Sequence, residues 1–592
     1  MSKASLELGG GNWAAKVKED GSGRLLGYAV GDTSGKYLPR EFTFSRGADI
    51  AATRVNKDGL IEKYRENLLT YSNQFDTTWL TADCTVTGGQ SGYDGSTDAW
   101  KLENTGSSLS YVRQSSLSVS GLQTLSFYAK AGNVDWLRAN ALFSGTNANN
   151  YFNIASGTIG ASPSPSVITS SITEVATGWY RISLTYNDTV SEIRIHIADG
   201  DGDEYPPLGS YIYIQDAQLE RGLVATDYLE SGSTTGKAGV LDNLPRIDYT
   251  GGSASLLLEP ERKNEVPNSE GVVETDKEVT LTVNHGIAPD GTKSSLKVAK
   301  NGFDDNDRIQ PISDDNVTLT NSADYSISAF VKNIDCTGVT TLACRTDAGS
   351  NELFRQGFQW TGASLALTSA KGSGTRTGAF VESYGNDWWR IGFTFTANST
   401  AGDFELDIDR ENGSATTSIE TWGWQLEKGS YPTSYIPTYG VSATRNVDVA
   451  DGITINTNAN HTMLYDLETT SGRESTSSLV SVGYDVSNRY FIKGTSSSNV
   501  QFQVSGIGVF SGNINPTNEV SGRNKIAVQW IDGTGYVYCN GVKQIDTLSN
   551  SSSSNDIDYY ELSGSGYSHK THQFLIFPTA LTDSECIALT TL

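Results

Sequence analysis

The chain has 592 residues, with 68 acidic side chains against 43 basic ones and a formal net charge of −25. That balance lacks the basic footprint that nucleic-acid binding needs and disfavours adhesion to an anionic membrane by charge alone. No stretch approaches the roughly 18 consecutive apolar residues of a membrane span.

Hydrophobic residues make up 37 %, charged residues only 19 %, and there are 61 glycines. Alternating strands joined by polar turns give that profile, and the length suits about three or four domains. The expectation is an all-β chain. Its five cysteines are Cys84, Cys336, Cys344, Cys539 and Cys586. An odd number without a CxxC pair is neither a disulfide framework nor a zinc site. Cys336 and Cys344 are spaced to bridge a hairpin or to remain buried thiols. The first residues, Met1 to Gly11, contain no apolar signal core. Synthesis in the cytoplasm without a signal peptide is expected.

Residues 1–64 read as a small N-terminal arm. Leu25–Val30 is a short strand candidate, and Asp58-Gly59 is a hairpin turn between Thr53–Val55 and Leu60–Glu62. The segment is too small for a strong core of its own, so it should dock onto another protein or onto the first sandwich.

Residues 65–230 form a first β-sandwich module. Strand candidates include Thr124–Lys130, Trp136–Phe143, Trp179–Tyr186 and Glu192–Ala198. The last puts Ile193, Ile195 and Ile197 on one face and Glu192, Arg194 and His196 on the other. The closing strand runs from Tyr211 into Gln218-Leu-Glu, a basic residue and Gly222, with Tyr228 six residues later. Strict alternation places Tyr211, Tyr213, Ala217 and Leu219 together, opposite Ile212 and Ile214.

Residues 231–262 are a bridge with a Ser/Gly-rich start. Its apolar Leu256–Leu258 is expected as a strand against the next module. Residues 263–446 repeat the first module. Tyr325–Lys332 matches the strand ending Phe127–Lys130, and Asp387–Phe395 matches Gly178–Tyr186. Gln425-Leu-Glu, a basic residue, Gly429 and Tyr435 then close the copy. Matching order with loop-sized differences indicates a duplicated fold. Residues 447–592 differ. Asp532-Gly533 and Asn540-Gly541 mark hairpins, His569 and His572 are expected in a loop, and Thr582 to Glu585 fits a capping box opening a terminal helix.

Several stretches carry a resemblance. They are Asn67-Leu-Leu-Thr-Tyr-Ser72, the Phe127–Lys130 strand, Gly178-Trp-Tyr-Arg181 and the Gln-Leu-Glu exits. These modules resemble β-sandwiches of bacteriophage virion proteins, especially tail fibres and adhesins, and have the layout of carbohydrate-binding jelly rolls. The last module resembles a laminin-G or concanavalin-like lectin domain, through Ile526–Trp530, Tyr538–Lys543 and Phe577–Glu585. The resemblance implies tandem jelly-roll-like sandwiches with a distal lectin-like domain. It further implies a location in the virion, attachment to other virion proteins through the arm, and a homo-oligomer, with a trimer as the usual state.

Trp179, Tyr180 and Arg181, with Trp388, Trp389 and Arg390, are candidate sugar-stacking groups. As strand neighbours they point to opposite faces, so core or interface packing is the expected role. Asp199, Asp201 and Asp203 space oxygen ligands as calcium prefers, without an EF-hand pattern. A solvated acidic loop is the alternative. The five histidines show no zincin spacing, and no G-x-S-x-G elbow occurs. The sequence therefore reads as a non-enzymatic virion structural protein, a tail fibre or adhesin that recognises host-surface glycans through loops. The alternatives are a capsid fibre, decoration or tail-scaffold protein binding only virion proteins, and a glycan-degrading tailspike.

Overall fold

The structure is a computed structural model. It describes residues 6–9, 14–17, 23–30 and 37–47, and residues 51–592 apart from short interior segments. Those segments are 162, 242–243, 251, 274, 302–306, 347–351, 372–373, 409–416, 452–454, 457–459, 470–477, 486–487, 495–501, 507–509, 515–521, 533, 550–555, 558, 564–567 and 578. The fold is all-β, with one described helix at Asp583–Thr590. Its capping box is present, with the Thr582 hydroxyl accepting from the Glu585 N–H.

In the first sandwich two antiparallel six-stranded sheets face each other. One, here the exit sheet, runs in the order Val167–Ala176, Trp179–Asn187, Leu122–Ala131, Tyr211–Arg221, Ala99–Asn104 and Cys84–Gln90. The opposite sheet runs Thr158–Ile159, Asn147–Asn153, Trp136–Leu142, Val190–Ala198, Tyr111–Val119 and Leu80–Ala82. Alternate residues enter the space between them. Ile193, Ile195 and Ile197 from one sheet meet Ile182, Leu184 and Tyr186 from the other in one buried cluster.

The second sandwich repeats this strand for strand. Its exit sheet orders Arg376–Ser383, Trp388–Thr396, Asp324–Asn333, Ser418–Lys428, Leu296–Lys300 and Val279–Thr282. Its opposite sheet contains Glu352–Thr361, Val339–Thr346, Ala401–Asp407 and Arg308–Thr318 as successive neighbours. The duplication visible in the sequence is thus a duplication of topology.

The closing strands depart from strict alternation. Ile212, Ile214, Ala217 and Leu219 all enter the core, so the expected facing of Ala217 and Leu219 with Tyr211 and Tyr213 is corrected. The cause is a β-bulge. The register with Leu122–Ala131 slips by one residue, and Asp216 takes a φ of 53°, which resets which side each later residue faces. The second copy slips at the same point, where Gly423 has a φ of 63°. A Cβ on Gly423 would sit 2.8 Å from the Phe330 ring.

Residues 1–64 do not behave as a separate arm where described. Leu6–Gly9 pairs with Gln573–Ile576 of the strand His569–Phe577, and Tyr37–Ser45 pairs with Val449–Asp451. Leu256–Leu258 pairs with His569–Thr571 on the same edge, not with the second sandwich. Two distant segments therefore cover one strand edge that would otherwise expose unpaired backbone groups. His569 and His572 lie within that strand and not in a loop. Asp532 and Asn540 adopt positive φ at the expected hairpins between Gly522–Ile531, Thr534–Cys539 and Val542–Ser549. All five cysteines are buried free thiols.

Candidate ligand-binding face

The residues that stand out in the sequence form an internal latch, built twice. Asn67 donates to the carbonyls of Ala217 and Leu229 at 3.1 and 2.9 Å, and its side-chain oxygen accepts from the Leu69 and Leu219 N–H groups. Asn264 repeats the set on Trp424, Ile436, Val266 and Leu426. Glu220 accepts from the Thr226 N–H and hydroxyl at 2.8 and 2.5 Å, and Glu427 does the same with Thr433 at 2.7 Å each. Arg181 reaches Ser126 and the Thr226 carbonyl, while Arg390 reaches Ser328 and the Thr433 carbonyl. Tyr228 and Tyr435 bond Ser72 and Ser269 at 2.6 and 2.5 Å. These groups are consumed in holding the exit segment to its sheet, which satisfies backbone groups that burial would otherwise orphan.

The tryptophan pairs divide as alternation requires. Tyr180 and Trp389 pack against the inter-sheet cores. Trp179 and Trp388 lie on the outer face of the exit sheet in small aromatic clusters. In the second copy Trp388 and Trp422 are roofed by Ile61 and Ala288. In the first, Tyr93 stacks on Tyr128 at 3.8 Å and donates to Asp216 at 3.0 Å. Burial raises the Asp216 pKa. The Tyr93 hydroxyl opposes that, Asp98, Asp94 and Glu230 add to it, and the carboxyl settles at about 7.

Asp199, Asp201 and Asp203 lie in a tight turn closed by the Gly200–Asp203 bridge. Asp201 accepts from the Ala161 N–H at 2.8 Å and Asp203 from the Tyr205 N–H at 3.1 Å. Among the described residues no three acidic, His or Cys groups converge as metal ligands would. Just beyond the turn Glu204 ion-pairs with Arg138, and Tyr205 and Leu208 are exposed.

Arg138 belongs to the outer face of the opposite sheet in the first sandwich. Two rows cross four strands there. Tyr111, His196, Arg138 and Tyr151 are successive cross-strand partners, and so are Arg113, Arg194, Asn140 and Asn149. Glu192 accepts from Arg113 at 2.8 Å and also from Arg194. His196 is fully buried beneath this layer, with its ring 4.6 Å from that of Tyr111. Burial, then the charges of Arg138 and Arg194, lower its pKa well below the ordinary value and keep it neutral. Both ring nitrogens of His196 lack a hydrogen-bond partner, as do Nε of Arg113 and Arg138 and the side-chain oxygen of Asn140. Native interiors rarely leave so many buried polar atoms unpaired in one place.

The second sandwich changes this chemistry at two of three positions. Asp403, Glu405 and Asp407 occupy the positions of Glu192, Arg194 and His196. Arg308 and Arg345 approach Glu405 at 3.3 and 3.2 Å. The sequence placed Glu192, Arg194 and His196 on one face, yet Arg113 and Arg138 join them only through strand pairing. The available signal in the sequence is Glu192, Arg194 and His196 alternating with Ile193, Ile195 and Ile197.

A cleft of about 1070 Å³ separates the two sandwiches. On its wall Lys63 pairs with Glu270 at 2.9 Å and Asp290 at 2.7 Å. Burial works against the ammonium, but Asp290 and Glu270 outweigh it, and the Lys63 pKa lies well above its ordinary value. The sandwiches meet at Gly121 and Gly440, where a Cβ on Gly121 would overlap the Tyr439 carbonyl.

No family model and no curated protein matches the chain. Solved structures overlap it weakly. The CBM40 of the Ruminococcus gnavus IT-sialidase bound to α2,6-sialyllactose is 17 % identical over 24 % of this chain and 93 % of its own, with a TM-score of 0.19. The CBM22-1–CBM22-2 tandem domain of Paenibacillus barcinonensis Xyn10C is 9 % identical over 65 % and 99 %, with a TM-score of 0.20. Trypanosoma rangeli sialidase is 11 % identical over 98 % of each chain, with a TM-score of 0.19. Likenesses this slight carry no argument about this chain.

Proposed function

We propose that this chain is a non-catalytic glycan-recognition protein and that the His196 face of the first sandwich is its binding surface. The observation that carries the reading is the pair of cross-strand rows on that face. They set tyrosine rings beside guanidinium and amide donors on rigid strands. Rings that stack on sugar faces and a few placed polar groups are what a saccharide site needs. The second sandwich keeps the scaffold and the latch, but its guanidinium groups are drawn onto Glu405 and it has no counterpart of the Arg194 fork, so it serves as a spacer or a site of different preference. The test is a glycan array probed with the intact chain and with Tyr111→Ala. Binding that the variant loses supports the reading. Absence of binding to every glycan, or binding untouched by Tyr111→Ala, overturns it.

The setting we propose is a virion, as a tail fibre or adhesin that acts in several copies to gain avidity. The support is the likeness of the module motifs to phage structural proteins. Purified protein offered to host cells before phage addition should block adsorption. Unchanged adsorption with folded protein would favour a capsid, decoration or tail-scaffold role.

A further inference from the structure

The His196 face can be read more closely, on the premise that it binds glycans. Arg194 is held in place from two sides. Its Nε donates to Glu192, and its guanidinium lies 4.6 Å from the centre of the Tyr111 ring. Its two terminal amino groups make no hydrogen bond with any described residue, and its side chain is 19 % exposed. A fixed, outward-facing guanidinium fork matches a planar carboxylate through two parallel hydrogen bonds. Arg113, Arg138 and Arg194 form ion pairs with two carboxylates, Glu192 and Glu204, and the further acids Asp201 and Asp203 act on Tyr151, at the opposite end of the row from Tyr111. Glu192 shows the arrangement at work, since its two oxygens already bridge Arg113 and Arg194. Beside the fork, the neutral His196 has both ring nitrogens unpartnered. Movement of the Tyr111 ring would offer one donor and one acceptor to a sugar hydroxyl. Tyr205, 62 % exposed, stands on the rim in the loop that Glu204 ties to Arg138.

We propose that this face binds an acidic saccharide, with the sugar carboxylate seated on the Arg194 fork and its ring against Tyr111. The matching strand of the second sandwich has Glu405 in place of Arg194, so among the described residues the second sandwich does not repeat the site, and avidity comes from separate chains.

The experiment uses the intact protein on an array carrying oligogalacturonate, hyaluronan fragments and sialyllactose, each also as its methyl ester, beside neutral lactose and maltotriose and a sulfated lactose. The expected result is at least tenfold weaker binding of the esters, about 1.4 kcal/mol. A similar loss is expected for Arg194→Lys, which keeps the charge but not the fork. A thermal melt of Arg194→Lys checks that the sandwich is intact. Esters binding as well as acids, or the sulfated sugar binding best, would overturn the carboxylate assignment while leaving glycan recognition standing. Acid-selective binding unchanged in Arg194→Lys would overturn the placement. Failure of every saccharide to bind would overturn both this inference and the reading beneath it.

Discussion

In the first sandwich Glu192, Arg194 and His196 face outward from a strand whose counterpart in the second presents Asp403, Glu405 and Asp407. On the other sheet, Asn67, Arg181, Gln218, Glu220 and Tyr228 are matched by Asn264, Arg390, Gln425, Glu427 and Tyr435. One set of positions is held fixed, while the other keeps an acid at Glu192 and Asp403 but exchanges Arg194 and His196 for Glu405 and Asp407. The fixed set satisfies buried backbone and cannot change without leaving orphaned groups. The exchanged set is held by side-chain partners on its own sheet, so it can change together with those partners while the backbone stays as it is.

The sharpest way to break the comparison is at the bulge. Trp422 and Gln215 occupy equivalent places on either side of Gly423 and Asp216. Trp422 is fully buried in the outer cluster, so Trp422→Ala should cost about 3–5 kcal/mol. Gln215 bonds Asp98 at 2.8 Å, and Gln215→Ala should cost only about 1–2 kcal/mol. Denaturant titration of both variants measures the gap, and equal losses would mean that the two faces are packed alike.

The latch offers a symmetrical test. Asn67→Ala and Asn264→Ala each remove four hydrogen bonds and should each cost about 2–4 kcal/mol. Hydrogen exchange should accelerate only in the sandwich that carries the change. Acceleration in both would show that the modules unfold as one unit.

Asp216→Asn probes a difference in titration. The folded carboxyl at about 7 lies above its unfolded value of roughly 3.9. Its contribution to stability is therefore full below about pH 4 and is lost as pH rises through about 7. The variant should flatten that slope. Gly423 has no side chain to titrate, so the second sandwich supplies the control. A wild-type slope that survives in Asp216→Asn would place its origin elsewhere.

The smallest expected effect is at the acidic turn. Asp203→Asn should shift stability by less than about 0.5 kcal/mol, and millimolar calcium should leave the melting temperature unmoved. A calcium-dependent rise abolished by the variant would identify the turn as a cation site.

Much of this organisation is legible in the sequence because it is local or repeated. The duplicated strands, the Asp532 and Asn540 hairpins and the Thr582 capping box all rest on residues close together in the chain. The bulge breaks the strict alternation of the closing strand, and its mark in the sequence is the step of three between Ile214 and Ala217, where two is regular. Arg113 and Arg138 join His196 only through register between separate strands, which periodicity within one strand does not report. The pairing of Leu6–Gly9 and Leu256–Leu258 with the strand His569–Phe577 lies further still beyond local reading.

That last pairing bears on the order of events during synthesis. Leu6 meets Ile576, a partner made about 570 residues later. The other edge of Leu6–Gly9 pairs with Tyr28 and Ala29, but at roughly 5–20 residues per second the edge that meets His569–Phe577 waits about half a minute to two minutes for its partner. The two sandwiches, each closed by contacts within itself, have time to fold first. Completion of the His569–Phe577 edge then becomes the late step, set by a loop closure of very high contact order.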